Sequence, residues 1–119
     1  MPISVLIVDD DPSFRDLAAR LLAACDLDVA GQAGSVAEAL DAAKATKPDA
    51  ALVDVDLPDG NGIALAEQLT TLPWSPRVVL TSVDGDAARS DDVSRSGAVT
   101  FVHKADLPNR PLDRLLGPE

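Results

Sequence analysis

The chain has 119 residues, 46% of them hydrophobic and 25% charged, which suits one globular domain and excludes a disordered one. Its formal charge is −10, from 20 acidic and 10 basic residues. That excess argues against direct nucleic acid binding, because a phosphate backbone needs a basic face. No apolar stretch approaches the roughly 20 residues that span a bilayer. No basic segment precedes the first apolar run, as it would in a secretory signal, so the chain is expected to be cytoplasmic, without membrane contact. Cys25 is the only cysteine and rules out an internal disulfide; among Leu21, Leu22, Ala23 and Ala24 it reads as a small buried hydrophobe.

In chain order, Ile3 to Val8 predicts a first strand running into Asp9-Asp10-Asp11. Asp11 suits the N-cap and Pro12 the first turn of a helix. Phe14, Leu17, Ala18, Leu21 and Leu22 share its apolar face up to about Cys25. Asp28 to Ala33 is a short second strand. Ser35 followed by Glu38 forms a capping box that opens a helix through Ala39, Leu40 and Ala43, and Pro48 ends it. Ala50 to Val53 is a third strand running into Asp54.

Pro58-Asp59-Gly60-Asn61-Gly62 is a turn cluster, and Ile63 to Leu69 a third helix that stops before Pro73. Trp74, between Pro73 and Pro76, is expected to anchor the loop into strand four by packing. Val78 to Leu80 makes that strand and runs into Thr81-Ser82. Asp84 to Ser96 is rich in Asp, Ser and Arg, with Ala87, Ala88 and Val93 as its apolar contacts, and predicts a short, weakly packed fourth helix. Val99 to His103 is a fifth strand running into Lys104, and Pro111 opens a short last helix with Leu112, Leu115 and Leu116.

This alternation predicts an α/β fold over a single domain, residues 1–119: a doubly wound, five-stranded parallel sheet of order 2-1-3-4-5 in a flavodoxin-like three-layer sandwich. Strands one and three then meet at the switch point, with Asp9 and Asp10 beside Asp54 on the carboxyl edge, where such sheets bind ligands. Crowded carboxylates need a cation or a proton. Mg2+ bound by one or two of them keeps its waters and can bridge to phosphate oxygens. A carboxylate can also act as the nucleophile of phosphoryl transfer when metal and lysine neutralise the incoming group.

Taken together, Val5-Leu6-Ile7-Val8-Asp9-Asp10-Asp11, the run from Leu52 through Asp54, Pro58 and Gly60 to Gly62, Val78-Val79-Leu80-Thr81-Ser82, and Gly97-Ala98 through Phe101 to Lys104 carry a resemblance. The chain resembles, over essentially its whole length, the receiver domain of bacterial two-component response regulators, the CheY-like superfamily. The resemblance implies that Asp54 accepts a phosphoryl group from a phosphohistidine on a sensor histidine kinase or a histidine phosphotransfer protein. It implies that Asp10 binds Mg2+ directly, that Asp9 assists through water, and that the Asp56 main-chain carbonyl completes the site. Thr81 would hydrogen-bond the phosphoryl group and Lys104 would pair with it. Phe101 matches the aromatic switch that turns inward behind the threonine, here without a phenolic hydroxyl. The fourth helix, fifth strand and last helix would form the output face, which also allows a homodimer. The domain would be a signalling module, catalysing only its own phosphorylation and dephosphorylation.

Ala105 stands where many receivers have proline, often cis, so the resemblance does not by itself imply their kinked loop there. Asp56 bears an acidic side chain two residues past the acceptor, which bears on phosphoryl lifetime. The chain reads as either a stand-alone receiver or a piece of a longer regulator. His103 alternates outward from Val102 and reads as a surface residue, while Asp11 and Asp84 read as caps or solvated turn residues. Two alternatives compete. Asp54-Val55-Asp56 also resembles the first motif of haloacid-dehalogenase-type phosphatases, although their remaining acid pair follows the lysine, whereas Asp9-Asp10 comes first here. The other is a receiver fold that serves as a phosphorylation-independent scaffold.

Overall fold

The computed structural model describes residues 3–83, 93 and 95–117. β1 (Ser4–Val8), β2 (Asp28–Ala33), β3 (Ala50–Asp54), β6 (Arg77–Ser82) and β7 (Thr100–His103) form one parallel sheet in the order β2-β1-β3-β6-β7. This is the expected 2-1-3-4-5 order. The numbering differs because β4 (Asp56–Leu57) and β5 (Gly60–Asn61) form a separate antiparallel hairpin within the turn cluster.

The sheet is covered on both faces, so the middles of its inner strands are continuous apolar runs rather than alternating ones. Val5, Ile7, Leu52, Val79 and Val102 pack with Ala18 and Leu22 of α1 (Pro12–Ala24) and with Leu112 and Leu116 of the C-terminal helix, Leu112–Leu116. Leu6, Val8, Ala51, Val53, Val78 and Leu80 face the other way, onto α2 (Val36–Thr46) and α3 (Gly62–Thr70). The expected three layers are therefore present.

Asp11 caps α1, accepting from the Ser13 amide at 2.9 Å, and Pro12 begins the helix. Leu17 falls at the margin of the apolar stripe and is 41% exposed, and Cys25 is half-buried at the C-cap rather than enclosed. The capping box on α2 is half as expected. Ser35 Oγ accepts from the Glu38 amide at 3.2 Å, but the Glu38 carboxylate takes the Gly34 amide, one residue before the cap. The Asp59 carboxylate, from the β4–β5 turn, accepts from the Val36 and Ala37 amides at 2.7 and 3.1 Å. These bonds hold its carboxyl below the usual range.

Lys47, in the left-handed region at φ 47°, stops α2 just before Pro48. Trp74 is half-buried, with Lys47 Nζ 5.9 Å from its ring centroid. The expected fourth helix lies mostly outside the described residues; Val93, Arg95 and Ser96 are helical, and Val93 packs into the core. After β7 the chain forms a 3-10 helix, Lys104–Asn109, which includes Ala105. His103 is half-buried and caps that helix, its Nδ1 accepting from the Ala105 amide at 3.2 Å.

Candidate functional site

Register brings the polar residues together. Val8 pairs with Val53, so Asp9 follows beside Asp54. Asp54 pairs with Thr81, and Ser82 pairs with His103, which sets Lys104 next on the same edge. Asp9, Asp10 and Asp54 each offer a carboxylate oxygen within 4.8 Å of the others. The five residues Asp9, Asp10, Asp54, Thr81 and Lys104 thus share the carboxyl edge of the sheet.

Their exposures differ. Asp9 is 1% exposed and Asp54 5%, whereas Asp10 is open to solvent. Asp9 Oδ1 accepts from the Asp11 amide at 2.8 Å, and Oδ2 pairs with Lys104 Nζ at 2.5 Å. Lys104 also reaches Asp54 Oδ2 at 3.4 Å, and the other Asp54 oxygen accepts from the Asp56 amide at 3.2 Å. The Asp56 side chain itself is exposed. Burial, and then the Asp9 charge, push the Asp54 carboxyl up to about 6; Lys104 and the Asp56 amide pull it down without offsetting them. Burial lowers the Lys104 ammonium, but the Asp9 hydrogen bond and the charges of Asp54 and Asp9 outweigh it and hold the ammonium above its ordinary value.

The Thr81 hydroxyl is buried with no hydrogen-bond partner among the described residues. A buried hydroxyl left unsatisfied is costly, so it marks a place where a ligand oxygen is expected. Three converging carboxylates against one lysine are a donor set that fits a hard divalent cation such as Mg2+. Phe101 is half-buried and packs against the α2–α3 side of the core, its Cα in register with Leu80.

Several contributors had no clear sequence signal. Arg15 Nη1 donates to the Asp9 carbonyl at 2.6 Å and its Nε to Gln32 Oε1 at 3.3 Å, fixing the turn that presents Asp9 and Asp10. Phe14, expected purely on the core face of α1, lies with its ring centroid 4.3 Å from Lys104 Nζ. The motif glycine at 62 has a concrete reason: a Cβ there would stand 2.0 Å from the Asp54 carbonyl oxygen.

Comparison with known proteins agrees with this geometry. The family model described as the response regulator receiver domain matches residues 5–114. The DNA-binding transcriptional activator DevR/DosR of Mycobacterium tuberculosis is 43% identical over 86% of this chain, which spans only 48% of that protein. Chemotaxis protein CheY of Thermotoga maritima is 29% identical, over 93% of this chain and 92% of its own. Among solved structures, the signal receiver domain of the response regulator NarL from Mycobacterium tuberculosis superposes with a TM-score of 0.83 at 30% identity, covering 98% of both chains. The response regulator domain of Thermotoga maritima CheB gives 0.84 at 25% identity, covering 100% of this chain and 99% of that one. The receiver reading therefore stands over the haloacid-dehalogenase-type one, and the chain belongs to the response regulator receiver domain family.

Proposed function

We propose that Asp54 is the phosphoacceptor of a two-component phosphorelay, taking its phosphoryl group from a phosphohistidine on a sensor histidine kinase or a histidine phosphotransfer protein. The observation that carries this is the register pairing of nearly buried Asp54 with Thr81, whose hydroxyl is unpartnered, with Lys104 Nζ 3.4 Å from Asp54 Oδ2. An Asp54 oxygen attacks phosphorus, the P–N bond to histidine breaks, and the departing imidazole nitrogen keeps the electron pair and takes up a proton. The Thr81 hydroxyl donates to a phosphoryl oxygen, and the Lys104 ammonium shifts from Asp54 onto the new phosphoryl charge. Asp10 and Asp54 directly, Asp9 through water and the Asp56 main-chain carbonyl would hold Mg2+, which when bound neutralises charge on the transferring group. The position of Asp9, already engaged by Lys104 and the Asp11 amide, supports its indirect part.

Thr81, drawn toward the phosphoryl group, would leave space into which Phe101 turns, altering the output face around β7, which would also serve a homodimer. We assign residues 1–119 to one receiver domain of a cytoplasmic signalling protein that turns over no separate substrate and binds no nucleic acid through this domain. Among the described residues no helix is long and apolar enough to cross a membrane. Incubation with Mg2+ and a small phosphodonor should add one phosphoryl group, labile to hydroxylamine, and Asp54→Asn should take none. A label retained in that variant would remove Asp54 as the acceptor, and an unlabelled wild type would favour a phosphorylation-independent scaffold.

A further inference from the structure

We propose that Phe14 is a positioning residue that holds Lys104 in the site through the face of its ring. The inference rests on the reading of Asp54 as acceptor and adds a residue to it. Asp11 and Pro12 fix where α1 begins, and the first turn that follows carries Phe14. The ring is half-buried against the α1 side of the core, and its centroid lies 4.3 Å from Lys104 Nζ, well within the reach of a cation–π contact.

The lysine needs such a partner. Its side chain is only 12% exposed, so water solvates the ammonium poorly. Two of its three donors have carboxylate partners, Asp9 Oδ2 at 2.5 Å and Asp54 Oδ2 at 3.4 Å. During transfer the Asp54 carboxylate becomes a mixed anhydride, an acyl phosphate, and its own charge is replaced by that of the phosphoryl oxygens, so the ammonium must change partner. A hydrogen bond to a carboxylate is directional and breaks when the donor swings. Attraction to a ring face does not depend on where each N–H points, so it persists while the ammonium stays over the ring and turns from Asp54 toward the phosphoryl oxygens. The same ring keeps water off the ammonium, which strengthens its pull on the phosphoryl charge. An aliphatic side chain at position 14 would fill the core equally and offer none of this.

The test separates the ring's electrons from its volume. In wild-type protein without any phosphodonor, the Lys104 ε-methylene protons should resonate upfield through the ring current of Phe14, and Phe14→Leu should abolish that shift. With Mg2+ and a small phosphodonor, Phe14→Leu should take up phosphoryl about three- to tenfold more slowly. Phe14→Trp should restore the rate, and phenylalanine with increasing ring fluorination at position 14 should slow it step by step. If the leucine variant does not fold, the fluorinated series, close to phenylalanine in shape, still reads the effect. An unshifted ε-methylene in wild type would overturn the contact. A rate indifferent to fluorination, or a folded leucine variant as fast as wild type, would reduce Phe14 to a core residue. Because the shift is read without phosphodonor, a wild-type protein that takes no label would count against the acceptor reading rather than against the contact.

Discussion

At the amino ends of the strands, Asp49 accepts from the Ser4 amide at 2.9 Å and the Ser4 hydroxyl at 3.3 Å, while its own amide donates to the Ser4 carbonyl at 3.0 Å. Arg77, one strand further on, donates its amide to the Asp49 carbonyl at 3.0 Å and its Nε to the Leu115 carbonyl at 2.9 Å. At the carboxyl ends of the same strands, three carboxylates converge, two of them on one lysine, and the Thr81 hydroxyl has no partner among the described residues. The residue types are similar; the difference is local satisfaction. One edge closes its polar groups on each other and serves only the fold. The other concentrates charge and leaves a donor unused, an arrangement that costs stability and makes sense when a ligand completes it.

The contrast can be broken most forcefully at Gly62. Alanine there would place a Cβ 2.0 Å from the Asp54 carbonyl oxygen and 2.9 Å from the Val55 Cα, both backbone atoms that cannot rotate away. Gly62→Ala should lose about 3 kcal/mol or more in urea unfolding. Gly31→Ala, whose Cβ would meet Leu6 Cδ1 at an ordinary 3.7 Å, should stay within about 0.5 kcal/mol of wild type. Equal losses would mean that the loop at Gly62 relaxes freely.

Next in size is Asp54→Asn. The Asp54 carboxyl sits at about 6 when folded, against 3.8 as the ordinary value, so between those pH values the folded protein holds more proton than the unfolded chain. Stability in chelator should therefore fall as pH rises from about 4 to about 6, and remain low above. The asparagine variant lacks that penalty and should be more stable by on the order of 1–3 kcal/mol at pH 7, with the advantage gone below about pH 4. A wild-type profile that rises over this interval would contradict a buried, strained carboxylate.

Thr81→Val replaces an unsatisfied buried hydroxyl with a methyl of similar shape. It should raise stability by about 1 kcal/mol while blunting any phosphoryl-dependent change at Phe101, read by hydrogen exchange with and without a beryllofluoride-type mimic. A loss of stability would reveal a partner for the hydroxyl. The smallest effect is expected at the closed edge: Asp49→Ala should cost about 0.5–1 kcal/mol and leave Mg2+ affinity unchanged. Altered Mg2+ affinity there would show that the two edges are coupled through the strands.

Much of this was legible from residue order. Strands buried on both faces read as unbroken apolar runs, and the residue after each run lies on one edge whenever the strands are parallel, so Asp9, Asp54, Thr81 and Lys104 could be gathered without coordinates. The β4–β5 hairpin could not be read, because two-residue strands show no periodicity. Nor could the engagement of Glu38 with the Gly34 amide, or the Asp59 carboxylate on the Val36 and Ala37 amides, because both depend on how the loops before and after the helix are laid against it. Residue order sets Lys104 opposite the carboxylates to meet an incoming anion but does not disclose that it bridges Asp9 and Asp54, two buried carboxylates that its ammonium reaches together. Phe14 looked like one more core residue, because helical spacing locates a face and says nothing of what the ring meets at its end.

The Asp59 cap has a consequence for the order of assembly. The first amides of α2 are held by a carboxylate 22 and 23 residues further along the chain. A nascent α2 therefore starts with two donors open to water and remains prone to fraying until β3 has been laid down and the turn after it has closed. The amino end of α2 and the acceptor loop should then gain protection in the same kinetic phase, later than the middle of the helix, so that the last local event of folding at α2 is also the one that finishes the loop behind Asp54.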